Sequence, residues 1–153
     1  MNIELTRAKL SDIAEMQRLV IPEVEAGVIL ARSSDEIATN IRSYILAKAN
    51  DEIVGFCALH IHTPSLAEIR SLVVKEEKRG MGIGQQLIAK AVQDAQTLGL
   101  QKVLSLTYKQ SFFEKLGFVE IPKESLPEHK IWADCIKCKH FPVCNEVSLI
   151  KTL

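Results

Sequence analysis

The chain has 153 residues, 47% hydrophobic and 25% charged, a balance that excludes an extended disordered chain and suits one core of ordinary size, so residues 1–153 read as a single soluble domain. Its 19 basic and 19 acidic side chains cancel, which leaves no broad field to gather a polyanion and argues against nucleic acid as a partner. The longest unbroken apolar runs (28–31, 44–47 and 56–59) are four residues long, against about 20 for a membrane span, so no membrane partner is expected either.

Met1-Asn2-Ile3-Glu4 opens no signal peptide, because no apolar stretch follows, and the expected compartment is the cytoplasm. Residues 3–8 alternate as a short strand. Ser11 then stands as the cap of a helix with Ile13, Met16, Leu19 and Val20 on one face. Ser33, at capping-box spacing from Glu36, starts a second helix with Ile37, Ile41 and Tyr44 at helical intervals. The period then changes. Residues 44–49 and 52–62 read as a hairpin turning at Asn50-Asp51, and Pro64-Ser65 leads into a strand over 68–74, giving three antiparallel strands. After a polar stretch comes a glycine cluster and a helix with Ile83, Leu87, Ala91 and Leu98 in phase, stopped by Gly99. Residues 102–108 form a strand, 111–116 a short helix ended by Gly117, and 118–121 and 147–153 two further strands. The order β-α-α-β-β-β-α-β-α-β-β predicts an α/β (α+β) fold: a mixed, mostly antiparallel central sheet with helices on both faces.

The most informative segment is the strand ending at Val74 and the loop Arg79-Gly80-Met81-Gly82-Ile83-Gly84 that runs into a helix. Consecutive backbone N–H groups at a helix start, with no side chain at the glycines, make a concave anion site suited to a pyrophosphate. A Walker A loop would end in Gly-Lys-Ser/Thr, whereas Gln85-Gln86 follow here. A dinucleotide fingerprint would need G-x-G-x-x-G directly after the strand and a carboxylate at the end of the next one; neither is present. A tight strand-to-helix turn needs only one glycine, so three alternating glycines behind an arginine favour the anion site.

This loop resembles the acyl-CoA signature of the GCN5-related N-acetyltransferases, Q/R-x-x-G-x-G/A, residue for residue. A Glu68-bearing strand precedes it, and Phe112-Phe113-Glu114-Lys115-Leu116-Gly117-Phe118 resembles that family's closing helix and Gly-Phe turn. The likeness covers residues 3–121. Within the family the chain is most similar to the acetyltransferase domain of bacterial N-acetylglutamate synthases, through Gly27-Val-Ile-Leu-Ala-Arg-Ser33, Cys57-Ala-Leu59, Leu104-Ser-Leu-Thr107 and Leu126-Pro127. The resemblance implies the family's mixed sheet, acetyl-CoA as co-substrate, and a CoA site formed by Leu72, Val73, Val74, Arg79, Gly80, Met81, Gly82, Ile83, Gly84, Gln85 and Phe112. A backbone N–H of Leu72 or Val73, freed by strand splaying, would bond the thioester oxygen.

Acetyl transfer to an amine needs a neutral amine, a polarised carbonyl and a stable leaving thiolate. Glu68 matches the position where relatives keep a carboxylate base; a solvated strand-end glutamate is the ordinary alternative. Relatives often place a tyrosine acid where this chain has Phe113. Tyr108 is the substitute considered, although a thiol pKa of about 8.5 lets the CoA thiolate leave without an acid. An acidic amino-acid acceptor would need cations, ideally arginine. The candidates are Arg32, Arg70, Lys130 and His60, the last at a position where some synthases hold a lysine. His60 and His62 are two apart and so share a strand face. The expected reaction is acetylation of a small amino acid, glutamate first, for arginine biosynthesis. Another amine, a protein N-terminus, or a noncatalytic acyl-CoA or thiol-responsive module are the alternatives. A homodimer is compatible with this reading.

Cys135-x-x-Cys138-x-His140 with Cys144 offers four ligands in ten residues, enough for a structural tetrahedral zinc site. Only the first pair has knuckle spacing, and reduced, packed thiols are the competing reading.

Overall fold

In the computed structural model, the described residues (2–125 and 146–153) place every expected strand in one sheet of order β1-β2-β3-β4-β5-β7-β6. The strands are β1 (Glu4–Arg7), β2 (Tyr44–Ala49), β3 (Glu52–Ile61), β4 (Leu66–Val74), β5 (Lys102–Thr107), β6 (Val119–Ile121) and β7 (Val147–Thr152); the helices are α1 (Ile13–Glu25), α2 (Ser34–Thr39), α3 (Ile83–Leu98) and α4 (Gln110–Glu114). All pairings are antiparallel except β4 with β5. Asn50 and Asp51 both take positive φ (51° and 65°), as a two-residue hairpin turn between β2 and β3 requires.

The sheet buries two faces. On one, Ile45, Val54, Leu59 and Ile69 pack with Leu87, Ile88, Ala91 and Phe113 of α3 and α4. On the other, Tyr44, Leu46, Phe56 and Val73 pack with Met16 of α1 and Ile37 of α2. These faces are the direct product of strand alternation and of the 3.6-residue period of the helices.

Three local expectations are corrected. Ser11 does not cap α1: it lies inside a 3₁₀ turn, Leu10–Asp12, and the Lys9 amide donates instead to Asp12 Oδ2 at 2.8 Å. The helix capped by Ser33, whose hydroxyl accepts from the Glu36 amide at 3.1 Å, ends at Thr39, where Asn40 donates to Glu36 O; Ile41 is in a separate 3₁₀ turn and Tyr44 starts β2. Leu98 is 63% exposed, because Gly99 (φ 86°) reverses the chain and buries Leu100 in its stead. The amide of Leu100 closes that turn on Ala95 O at 3.0 Å, a Schellman arrangement.

Two irregularities of β4 prepare the site. Ala58 faces Arg70 while Phe56 faces Val73, so β4 carries extra length between these pairs, and Ser71 there has φ 59°. This bulge inverts the alternation: Ile69 and Leu72, three apart, pack on the same face. Pairing of β4 with β5 runs from Leu66↔Lys102 to Ile69↔Ser105, whereas β5 remains paired with β7 as far as Thr107. Past Ile69 the two strands separate.

Candidate active site

The separation opens a cleft of about 370 Å³ with the bulged half of β4 on one wall, residues 105–109 on another, and Pro22 and Glu23 of α1 above. Lys75 donates its amide to Val54 O at 2.7 Å, which places that residue's hydrogen bonds on the β3 side. Alternation then turns the amide of Val73 toward β3 and those of Leu72 and Val74 toward the cleft. Of the two residues expected to offer a free donor, Leu72 qualifies. Val73 does not, and its side chain is buried among the α1 and α2 contacts.

At the cleft's edge, Gly80 and Gly82 both have φ 81°, a conformation that side-chain-bearing residues rarely adopt, and a Cβ on either would meet nothing within 4 Å. Gly82 is the N-cap of α3, and the first helical bond is from the Gln86 amide to Gly82 O at 3.1 Å. The amides of Ile83, Gly84 and Gln85 therefore precede the helical ladder and, with the positive end of the helix dipole, suit an anion. The Ile83 side chain is buried in the core, so only its backbone can serve such a ligand, whereas Met81 is 55% exposed beside it. The Phe112 ring lies against Gly84, 3.4 Å from where a Cβ would stand. Arg79 is held by two contacts, Nε to Val74 O at 3.1 Å and Nη2 to Glu23 Oε1 at 2.5 Å.

A second group of polar side chains comes from β3 and β4. Glu68 is 2% exposed rather than solvated, and its Oε1 lies 2.8 Å from His62 Nε2. His62 is in ring contact with His60 at 4.9 Å, and His60 Nδ1 accepts from Arg70 Nη2 at 3.0 Å. A guanidinium only donates, so the neutral His60 ring carries its proton on Nε2, and its Nδ1 lone pair is engaged. Arg70 lies on the same face as Glu68, as their two-residue spacing requires, and borders the cleft. His62 was legible in the sequence only as a companion of His60, since its contact with Glu68 depends on the β3–β4 register.

Arg32 is 11% exposed in its side chain and pairs with Glu36 at 3.1 Å, so it is no solvated flank of the Ser33 cap. Burial pushes the Tyr44 phenol up, while the charges of Arg32 and Arg70 draw it down; Arg32 and Tyr44 line one small pocket together with Ser71. Tyr108 follows β5 on the cleft wall and is 41% exposed. Phe113 borders the same cleft, wedged between Phe112 and Phe118 at centroid distances of 5.3 and 5.2 Å. Cys57 is fully buried and its thiol is pushed up to about 12 by burial, which makes it inert. Lys130, Cys135, Cys138, His140, Cys144 and the pair Leu126-Pro127 lie outside the described residues. Among the described residues, no helix is long and apolar enough to cross a membrane.

A splayed β4–β5 pair with an amide cradle at its mouth is one half of the identification; sequence comparison supplies the other. Residues 13–118 match the model of the Acetyltransferase (GNAT) family. The chain belongs to that family. It is 38% identical over 146 residues to an uncharacterized N-acetyltransferase of Chlorobaculum tepidum, covering 95% of this chain and 94% of the relative. It is 33% identical over 119 residues to an amino-acid acetyltransferase of Mycobacterium tuberculosis, covering 75% and 67% respectively. Its fold superposes with TM-score 0.89 on N-acetylglutamate synthase of Neisseria gonorrhoeae, solved with coenzyme A and N-acetyl-glutamate, at 22% identity. All of this chain is covered there but only 35% of the synthase, so the chain spans about a third of that protein's length. The protein is thus a GNAT N-acetyltransferase that uses acetyl-CoA.

Proposed function

We propose that this acetyltransferase moves acetyl from acetyl-CoA to the α-amine of a small amino acid with a side-chain carboxylate, L-glutamate in the first place, as the N-acetylglutamate-forming step of arginine biosynthesis. The observation that carries the reading is the placement of Arg70 on the wall of the cleft, with the largely buried Arg32 in the adjoining small pocket beside Ser71 and Tyr44. Planar guanidinium groups there fit the carboxylates of an amino acid. His60, where a lysine is found in some synthases, supplies no fixed cation of its own here but holds Arg70 through Nδ1. The amino-acid acetyltransferase relative supports an amino acid as the acceptor.

In this reading the pyrophosphate of acetyl-CoA rests on the amides at the start of α3, beside Arg79 and Phe112, and the thioester oxygen accepts from the Leu72 amide. That donor is fixed before the reaction and stabilises the oxyanion as the amine attacks. Glu68 accepts the ammonium proton through a bridging water. The thiolate departs unaided or with the Tyr108 hydroxyl nearby, since Phe113 offers no proton.

Arg32→Ala should cost about 2 to 4 kcal/mol in specificity for glutamate, chiefly through the acceptor KM, with acetyl-CoA handled as before. Steady-state kinetics with glutamate, aspartate, glutamine and lysine provide the check. Equal use of glutamine or lysine, or an unchanged acceptor preference in the variant, would leave only the family-level activity standing.

A further inference from the structure

We propose that His62 is a positioning residue for the reaction: its imidazole holds the Glu68 carboxylate ionised and aimed toward the acceptor face. The inference rests on the reading of Glu68 as the base. Both side chains are almost completely buried, at 3% and 2% exposure, and their contact is 2.8 Å. A carboxylate taken out of water needs a partner that restores its lost hydrogen bonds. An ionised carboxylate only accepts, so at this contact His62 Nε2–H donates. The register places His60, not His62, directly opposite Glu68. His60 is nevertheless turned to Arg70, and its ring stands edge-to-face with His62 at 4.9 Å. The two histidines therefore divide the work: one fixes the arginine that borders the cleft, the other fixes the carboxylate two residues before it.

Most charged groups on the neighbouring elements have partners of their own. On β3 and β4 the charged or titratable neighbours include His60 and Arg70, which bond each other. On β5, Leu104 faces Glu68, with Lys102 on the same face two residues earlier. On the α2 side, Arg32 and Glu36 pair with each other beside Tyr44 of β2. From α1, Glu15 accepts from the Ile53 amide at 2.9 Å, and Glu23 holds Arg79. Lys48 of β2 is paired with Asp12 at 3.5 Å.

The test compares His62→Leu, His62→Gln and Glu68→Gln in acetyl transfer across pH. Leucine removes the donor, and glutamine restores an N–H near the Nε2 position without a titrating ring. His62→Leu should lower kcat about tenfold at neutral pH with the acetyl-CoA KM unchanged, and should move the acid limb of the acceptor kcat/KM profile upward by about one pH unit, because the carboxylate loses the group that favours its charged form. His62→Gln should recover most of both. A merely structural role would lower the melting temperature and leave the acid limb in place. An unmoved limb in His62→Leu, with Glu68→Gln inactive, overturns the inference and spares the base; a fully active Glu68→Gln overturns the base and the inference with it. Should the His62→Leu variant fail to fold, nitrogen NMR of the His62 ring in the unaltered protein decides. A proton on Nε2 that shifts on Glu68→Gln supports the proposal, and a resonance indifferent to that change refutes it.

Discussion

The two halves of the site are made from different material. The anion cradle is backbone: three amides ahead of the α3 ladder and two glycines at φ 81°. The acceptor half is side chain: Glu68, His62, His60 and Arg70, drawn from two strands and linked in series, with Arg32 brought in from the approach to α2. A backbone site depends on local conformation, which glycine spacing specifies within a few residues. A side-chain site depends on which residues the strand register sets opposite one another. Substitutions in the first half should therefore act on cofactor affinity alone, and those in the second on turnover and acceptor choice.

The sharpest break between the halves should come from Glu68→Gln, which keeps the shape of a buried side chain and removes its capacity to take a proton. Turnover should fall by about 10²-fold or more at neutral pH, with acetyl-CoA affinity nearly unchanged. Thiol-release kinetics with calorimetric titration of acetyl-CoA would check both statements. Retention of most of the activity would move proton removal elsewhere. His60 is not the natural heir, with its Nδ1 committed to Arg70.

A smaller effect of opposite character is expected in the cradle. Gly82→Asn places a side chain where no protein atom stands within 4 Å, at a backbone conformation that asparagine tolerates and that a β-branched residue would strain. Affinity for CoA should drop about tenfold while the melting temperature changes little, because asparagine also serves as a helix cap. Calorimetry showing unchanged CoA affinity would contradict the assignment of this loop.

The smallest effect belongs to the core between the halves and shows only in alkali. Burial raises the Cys57 thiol to about 12 from an ordinary value of 9.0, so the folded state favours the protonated form. That contribution to stability is complete below the unfolded-state value and is lost as pH rises through the folded one, across roughly pH 9 to 12. Tyr44, also raised by burial, acts in the same direction above its ordinary value of 10.0. Cys57→Ala should flatten part of the alkaline fall in melting temperature, and the thiol should resist alkylation at neutral pH in the native protein. Rapid labelling there would show that the core opens.

Much of the fold was legible because its signals are local. Alternation marked the strands, Asn50-Asp51 a turn that only positive φ satisfies, and Gly99 a helix stop. The cradle was legible for the same reason, since Gly80, Gly82 and Gly84 declare a conformation rather than a partner. The helix ends were harder to read: whether Ser11 or a 3₁₀ turn precedes α1, and whether Leu98 or Leu100 is buried, depend on competing hydrogen bonds of similar strength.

By itself, then, the sequence determined the strand and helix order, the mixed sheet and the anion loop, all consequences of periodicity and backbone preference within short windows. Only the tertiary structure decided which groups meet. The bulge at Ser71 inverted the alternation of β4 and assigned the cleft-facing amide to Leu72 rather than Val73. The β3–β4 pairing gave Glu68 to His62 and Arg70 to His60, although both histidines share one face and His60 is the residue directly opposite Glu68. Burial turned Arg32 from a flank of a helix cap into a paired charge near Tyr44. Register, bulge and burial are set by contacts between residues far apart in the chain, and no local pattern encodes them.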